Sequence, residues 1–145
     1  MKKVLVLAAF LAVLAGCSSL APVQNLSEKM VLLAPGVTME EAILKGGAAK
    51  RWRMKVERPG LITAKLFARQ HVVIVNIPYT DNSYAIEYYF SENMNYKPKK
   101  HKIHHKYNQW VRNLDAAITR AAATTKKTTQ TIATTSAAVI QQTGE

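Results

Sequence analysis

Ten consecutive residues hold most of the chemistry this chain offers. Lys97-Pro98-Lys99-Lys100-His101-Lys102-Ile103-His104-His105-Lys106 carries five lysines and three histidines. Ammonium groups at that density suit phosphate oxygens, and each lysine near an anionic surface contributes about 1 kcal/mol. The imidazoles of His101, His104 and His105 add charge as pH falls past ~6.5. A metal is a poor fit for the same histidines. The lysines repel cations, no carboxylate or cysteine completes a ligand set, and positions 104 and 105 diverge on a helix. Neither a metal nor a cofactor is expected. The plainer reading is a solvated loop leading into a helix.

A second group is more dispersed. Arg69 and His71 are two residues apart and share a strand face if the strand continues through Gln70. With Tyr79, Tyr84, Asn93 and His104 they would line a polar cleft at one end of a sheet. Such side chains serve acid–base or anion-binding roles. The simpler assignment gives Arg69 and His71 edge or turn hydrogen bonds and makes the tyrosines an aromatic ladder. No serine stands in a nucleophile setting such as G-x-S-x-G, so an enzyme is not expected.

The one cysteine, Cys17, sits where its position carries meaning. Lys2 and Lys3 form a basic start, Val4 to Val13 are apolar, and Leu14-Ala15-Gly16-Cys17 is a small-residue exit. That layout is a secretory signal, too short for a permanent bilayer span. With cysteine directly after the cut, it resembles the lipobox of bacterial lipoproteins, which implies cleavage after residue 16 and acylation of Cys17. Two or three acyl chains on one residue hold permanently where a single chain is marginal. Ser18, in place of aspartate, resembles the outer-membrane sorting pattern of enterobacterial lipoproteins. A lone cysteine also excludes an intramolecular disulfide.

Elements must position these groups. The chain has 145 residues and a formal charge of +11, enough for one domain with a tail. Residues 17–37 read as a lipidated tether, with Pro22, Pro35 and no clear period; its stretch from Ser18 to Gly36 spans up to about 65 Å at ~3.4 Å per residue. Residues 38–123 read as a single α+β domain. Thr38 with Glu41 forms a capping box opening a helix to about Ala49. Gly46-Gly47 either ends that helix or admits close packing. Four strands follow at 52–56, 61–69, 72–77 and 84–90, joined by short turns such as Pro59-Gly60, which favours an antiparallel meander. In the last strand, Tyr84, Ile86, Tyr88 and Phe90 fall on one face. The run Val72 to Ile77 predicts an interior strand covered on both faces. Tyr107, Trp110, Val111, Leu114 and Ile118 form one stripe of a helix over 104–123, with Tyr107, Trp110 and Leu114 buried against the sheet. Residues 124–145 are a Thr- and Ala-rich tail expected to be disordered.

Between Arg51 and Ile118 the residues Arg51-Trp52, Pro59-Gly60-Leu61-Ile62, Ile77-Pro78-Tyr79, Tyr84-Ala85-Ile86-Glu87-Tyr88 and Tyr107-Asn108-Gln109-Trp110-Val111-Arg112-Asn113-Leu114-Asp115 stand out. With Arg69, His71, Ser91 to Tyr96 and Ile103-His104, they resemble a family of small uncharacterised bacterial lipoproteins. The resemblance implies export and one domain, and assigns no activity.

The expected function is thus a membrane-anchored envelope lipoprotein acting as a binding module. Its partners would be the membrane through Cys17, and anionic lipid, lipopolysaccharide or an envelope protein; an exported chain does not meet nucleic acid. Two alternatives stand beside it: a ligand-binding protein or enzyme using a cleft at Arg69, His71 and His104, and a structural accessory subunit. One long helix covers only one sheet face, and an uncovered apolar face would mark a partner or homodimer surface.

Overall fold

The computed structural model of the chain describes residues 19–124. The lipobox, Cys17 and the tail beyond Thr124 lie outside the described residues. The elements run β1 (Leu20–Pro22), β2 (Leu26–Met30), α1 (Met39–Ala49), β3 (Arg53–Arg58), β4 (Leu61–Ala68), β5 (His71–Pro78), β6 (Ser83–Glu92), β7 (Lys102–His104) and α2 (Lys106–Ala122). The α+β class is as the sequence predicts, but the main sheet has five strands rather than four. Its order is β2-β6-β5-β4-β3, and β1 pairs with β7 in a separate two-stranded ribbon. Strands β3 to β6 form the expected antiparallel meander.

Residues 20–22 and 26–30 are therefore strands where the sequence suggests a tether. β2 pairs antiparallel with β6, with Leu26 opposite Ile86 and Met30 opposite Ser83. β1 lies antiparallel to β7, with Leu20 opposite His104 and Pro22 opposite Lys102. Strands of three and five residues show too little alternation to be seen along the chain.

Helix α1 starts as its capping box dictates. The Glu41 amide donates to the Thr38 hydroxyl at 3.2 Å, and the Thr38 amide donates to the Glu41 carboxylate at 3.4 Å. The glycine pair is explained by close packing. A Cβ on Gly46 would stand 2.6 Å from the Ile118 backbone of α2, and one on Gly47 would stand 2.2 Å from the Met54 sulfur. Both helices thus lie in one layer over one face of the sheet. Ile62, Ala64, Val73, Val75, Ile77, Ile86, Tyr107, Leu114 and Ile118 form the shared core.

Three expectations about burial change. β5 is central but covered on one face only: Val73, Val75 and Ile77 are buried, whereas Val72 and Ile74 are half-buried on the other side. In β6 the register shifts between Ile74 and Val75, so Tyr88 opposes Val75 and Phe90 opposes Ile74. That bulge turns Phe90 away from the core, against simple alternation, and leaves it 43% exposed. In α2, Tyr107 and Leu114 are buried as predicted, but Trp110 is only half-buried at the rim of the core.

Candidate functional site

The basic segment folds as a tight projection from the β1–β7 ribbon. The Lys97 amide donates to the Lys102 carbonyl at 2.8 Å and closes the loop. Pro98 starts the 3-10 turn Pro98–Lys100, and His101 takes a left-handed conformation with φ 46° that reverses the chain. Lys97, Lys99, Lys100, Lys102 and Lys106 are all exposed, as are His101 and His105. Leu20, Pro98 and four of these lysines line a shallow groove. The ion pairs Lys29–Asp115 and Lys55–Glu57 lie elsewhere, and none of the five lysines is in an ion pair among the described residues. Their charge is unspent within the fold.

Backbone pairing seats the start of the described chain on this projection. The His105 amide donates to the Ser19 carbonyl at 3.2 Å, and the Ser19 hydroxyl meets His105 Nδ1 at 3.0 Å. The Val23 amide donates to the His101 carbonyl at 2.8 Å. Asn108, a buried polar side chain in the first turn of α2, clamps the same segment. Its Nδ2 donates to the Pro22 carbonyl at 2.8 Å, and its Oδ1 accepts from the Gln24 amide at 3.0 Å. Arg112 adds a hydrogen bond to the Gln24 side chain at 2.9 Å. Asn108 belongs to the Tyr107–Asp115 block singled out in the sequence, but its role needs the partner strand to be known.

The histidines are placed differently from the sequence expectation. His104 ends β7 and His105 caps α2, so they do not diverge on a helix: their rings stack with centroids 4.5 Å apart. His71 opens β5 beside them, its ring 6.1 Å from His104 and 6.3 Å from Trp110. His104 Nδ1 accepts the Lys106 amide at 3.3 Å, which suits the neutral ring. Burial pushes the His104 pKa below its ordinary value, and His105, His71 and Lys106 push the same way. No group of three or more His, Cys, Asp or Glu among the described residues is placed to hold a metal ion.

The suggested polar cleft does not assemble. Arg69 sits in the β4–β5 turn with φ 57°, so it does not share a strand face with His71. His71 Nδ1 bonds the Asn93 carbonyl at 2.8 Å, and Asn93 Nδ2 donates to the Gln70 carbonyl at 2.7 Å. Those contacts, with His104, mark one end of the sheet. Tyr79 and Tyr84 form a β-bridge at the other end, roughly 27 Å along β5 at ~3.4 Å per residue. There Tyr79 donates to Glu40, and burial followed by that bond raises the tyrosine's pKa. Tyr84 is buried and donates to Asp115 at 2.5 Å; burial, then this bond, raises its pKa strongly. Lys29 completes the network with bonds of 2.9 Å to Asp115 and 3.0 Å to Thr119. Lys29, Asp115 and Thr119 have no sequence pattern that would announce this arrangement.

No protein-family model, curated protein or solved structure matches the chain.

Proposed function

We propose that the protein is a lipid-anchored, non-enzymatic envelope module that rests its basic projection on an anionic membrane surface beside its own anchor. The observation that carries this reading is the seating of Ser19 on His105, at the root of the lysine loop. Only Ser18 lies between Cys17 and Ser19, a reach of at most about 7 Å. An acylated Cys17 would hold the ribbon near the bilayer rather than on a long tether. Five exposed lysines would then meet anionic head groups at high effective concentration, at about 1 kcal/mol per lysine. The distribution of the polar groups supports binding over catalysis, because Arg69, His71 and His104 do not converge with Tyr79 and Tyr84.

The test has two arms. Mass spectrometry of the mature chain should find acylated Cys17 at the N-terminus, and Cys17→Ser should release the protein from membranes. Separately, the chain from Ser18 onward should bind vesicles containing phosphatidylglycerol or lipopolysaccharide at low salt. Changing Lys97, Lys99, Lys100, Lys102 and Lys106 together to glutamine should remove most of that binding without moving the melting temperature. Equal binding by both forms would overturn the assignment of the surface. Loss in moderate salt is expected, since exposed charges are screened over about 8 Å at physiological ionic strength.

A further inference from the structure

The sheet face away from the helices is unusually apolar for a solvated surface. An antiparallel sheet with one face in water normally alternates apolar-in and polar-out. Here Phe67, Val72, Ile74, Tyr89 and Phe90 project outward. Phe67 is 47% exposed, Phe90 43% and Tyr89 64%. The strand register places them together: Phe67 opposes Val72, Lys65 opposes Ile74, and Ile74 opposes Phe90. They form one patch on neighbouring strands.

Charge on this face is separated by strand. Arg53 and Lys65 lie on β3 and β4, directly opposite each other, at 4.7 and 4.8 Å from the Phe67 ring centroid. Lys55 on the same flank is paired with Glu57 at 2.6 Å. On the other side of the patch, β6, next to the edge strand β2, carries exposed Glu87 and Glu92, which are in no ion pair among the described residues. One side of the patch is thus positive and the other negative.

That pattern is complementary to itself, and we propose that this face docks on the same face of a second copy about a two-fold axis running along the strands. Such an axis lays the β3–β4 flank of each copy over the β6 flank of the other. Arg53 and Lys65 then face the partner copy's acidic, aromatic flank, and the apolar patch is buried between two sheets. A two-fold axis across the strands would instead set cations on cations. Aligned stacking about 10 Å apart is also the usual geometry for two packed sheets. The chosen axis keeps both copies' Ser19 ends pointing the same way. On the anchoring reading above, both anchors would then enter one bilayer, and confinement to that surface would favour pairing. The charge argument stands without the anchor.

The experiment uses the full chain, with a photoreactive benzoylphenylalanine in place of Phe90. Illumination of intact membranes should give an adduct of twice the chain mass, mapping to residues 53–67 of a second copy. Arg53→Glu with Lys65→Glu should cut the yield at least fivefold, and adding Glu87→Lys with Glu92→Lys should restore it. An unchanged melting temperature shows that the variants fold, and the same probe at exposed Tyr89 is the second position. No dimer adduct from either position, adducts only with lipid or another protein, or a yield indifferent to charge reversal would overturn the proposal. Adducts without lipid on Cys17 would sink the anchoring reading alone; a lipidated chain without adducts would sink the pairing alone.

Discussion

The two ends of the sheet are held in opposite ways. At the end bearing Tyr79 and Tyr84, half-buried carboxylates accept from buried or half-buried donors: Glu40 from Tyr79, Asp115 from Tyr84 and Lys29. At the end bearing His71 and His104, holding falls to main-chain pairing of β1 on β7 and to the Asn108 amide. The charged side chains there point into solvent with no acidic partner. One end consumes its charge in folding, and the other displays it. Buried hydrogen bonds to charge are worth more than exposed ones, so substitutions should separate the ends cleanly.

Asp115→Ala should have the largest effect. It removes the acceptor of Tyr84 and Lys29 and leaves both donors facing a half-closed interior. The loss should be about 2 kcal/mol, less than for a fully buried pair because the Asp115 side chain is 24% exposed. Urea unfolding checks the magnitude, and vesicle binding should be unchanged. A loss of binding as large as that of the lysine variants would erase the distinction between the ends.

Asn108→Ala is the matching change at the other end. It deletes two hydrogen bonds to the segment at Pro22 and Gln24, at a cost of about 1–2 kcal/mol. Hydrogen exchange should rise first in residues 19–25 while β4 and β5 stay protected. Uniform loosening of the whole sheet would mean that the ribbon is not a separate, weaker unit.

What was legible along the chain follows from the range of the interactions. The capping box at Thr38, the hairpin turns and the Tyr107–Ile118 stripe are local, and they appear where expected, with Trp110 at the rim instead of in the core. Helix–helix contact at Gly46 was half legible, because a glycine pair signals close approach without saying to what. The β1 and β2 strands were hidden, since their partners lie more than fifty residues away. The Phe90 bulge was hidden for another reason: one extra residue reverses a face, and alternation cannot register it. The basic segment could be picked out as a cluster. Its nearness to Ser19 depends on β1 pairing with β7, which no local signal carries.

A smaller effect should appear with pH at the displaying end. His104 has its folded pKa lowered, first by burial and then by His105, His71 and Lys106. Below ~6.5 the unfolded chain therefore binds protons that the folded chain resists. Stability should be complete above that pH and should fall as pH drops toward the folded value. Protonation of Nδ1 would also cost the Lys106 amide its acceptor. Melting temperatures between pH 7.5 and 5 should decline more steeply for the wild type than for His104→Gln. Equal slopes would assign the acid sensitivity to other groups.

The smallest expected effect lies between the two ends. Tyr107 is fully buried, packs edge-on against Tyr88 at 5.6 Å, and its hydroxyl has no hydrogen-bond partner among the described residues. Burial, with Tyr88 and Tyr96 adding to it, raises its pKa strongly, so the phenol stays neutral. A buried hydroxyl without a partner costs desolvation and returns nothing, whereas the ring beneath it fills core. Tyr107→Phe should therefore be neutral or stabilising by up to about 1 kcal/mol. Paired thermal melts decide the matter. If the phenylalanine variant is destabilised by more than 1 kcal/mol, the hydroxyl bonds a buried water, and the core joins the two ends through a polar contact rather than through packing alone.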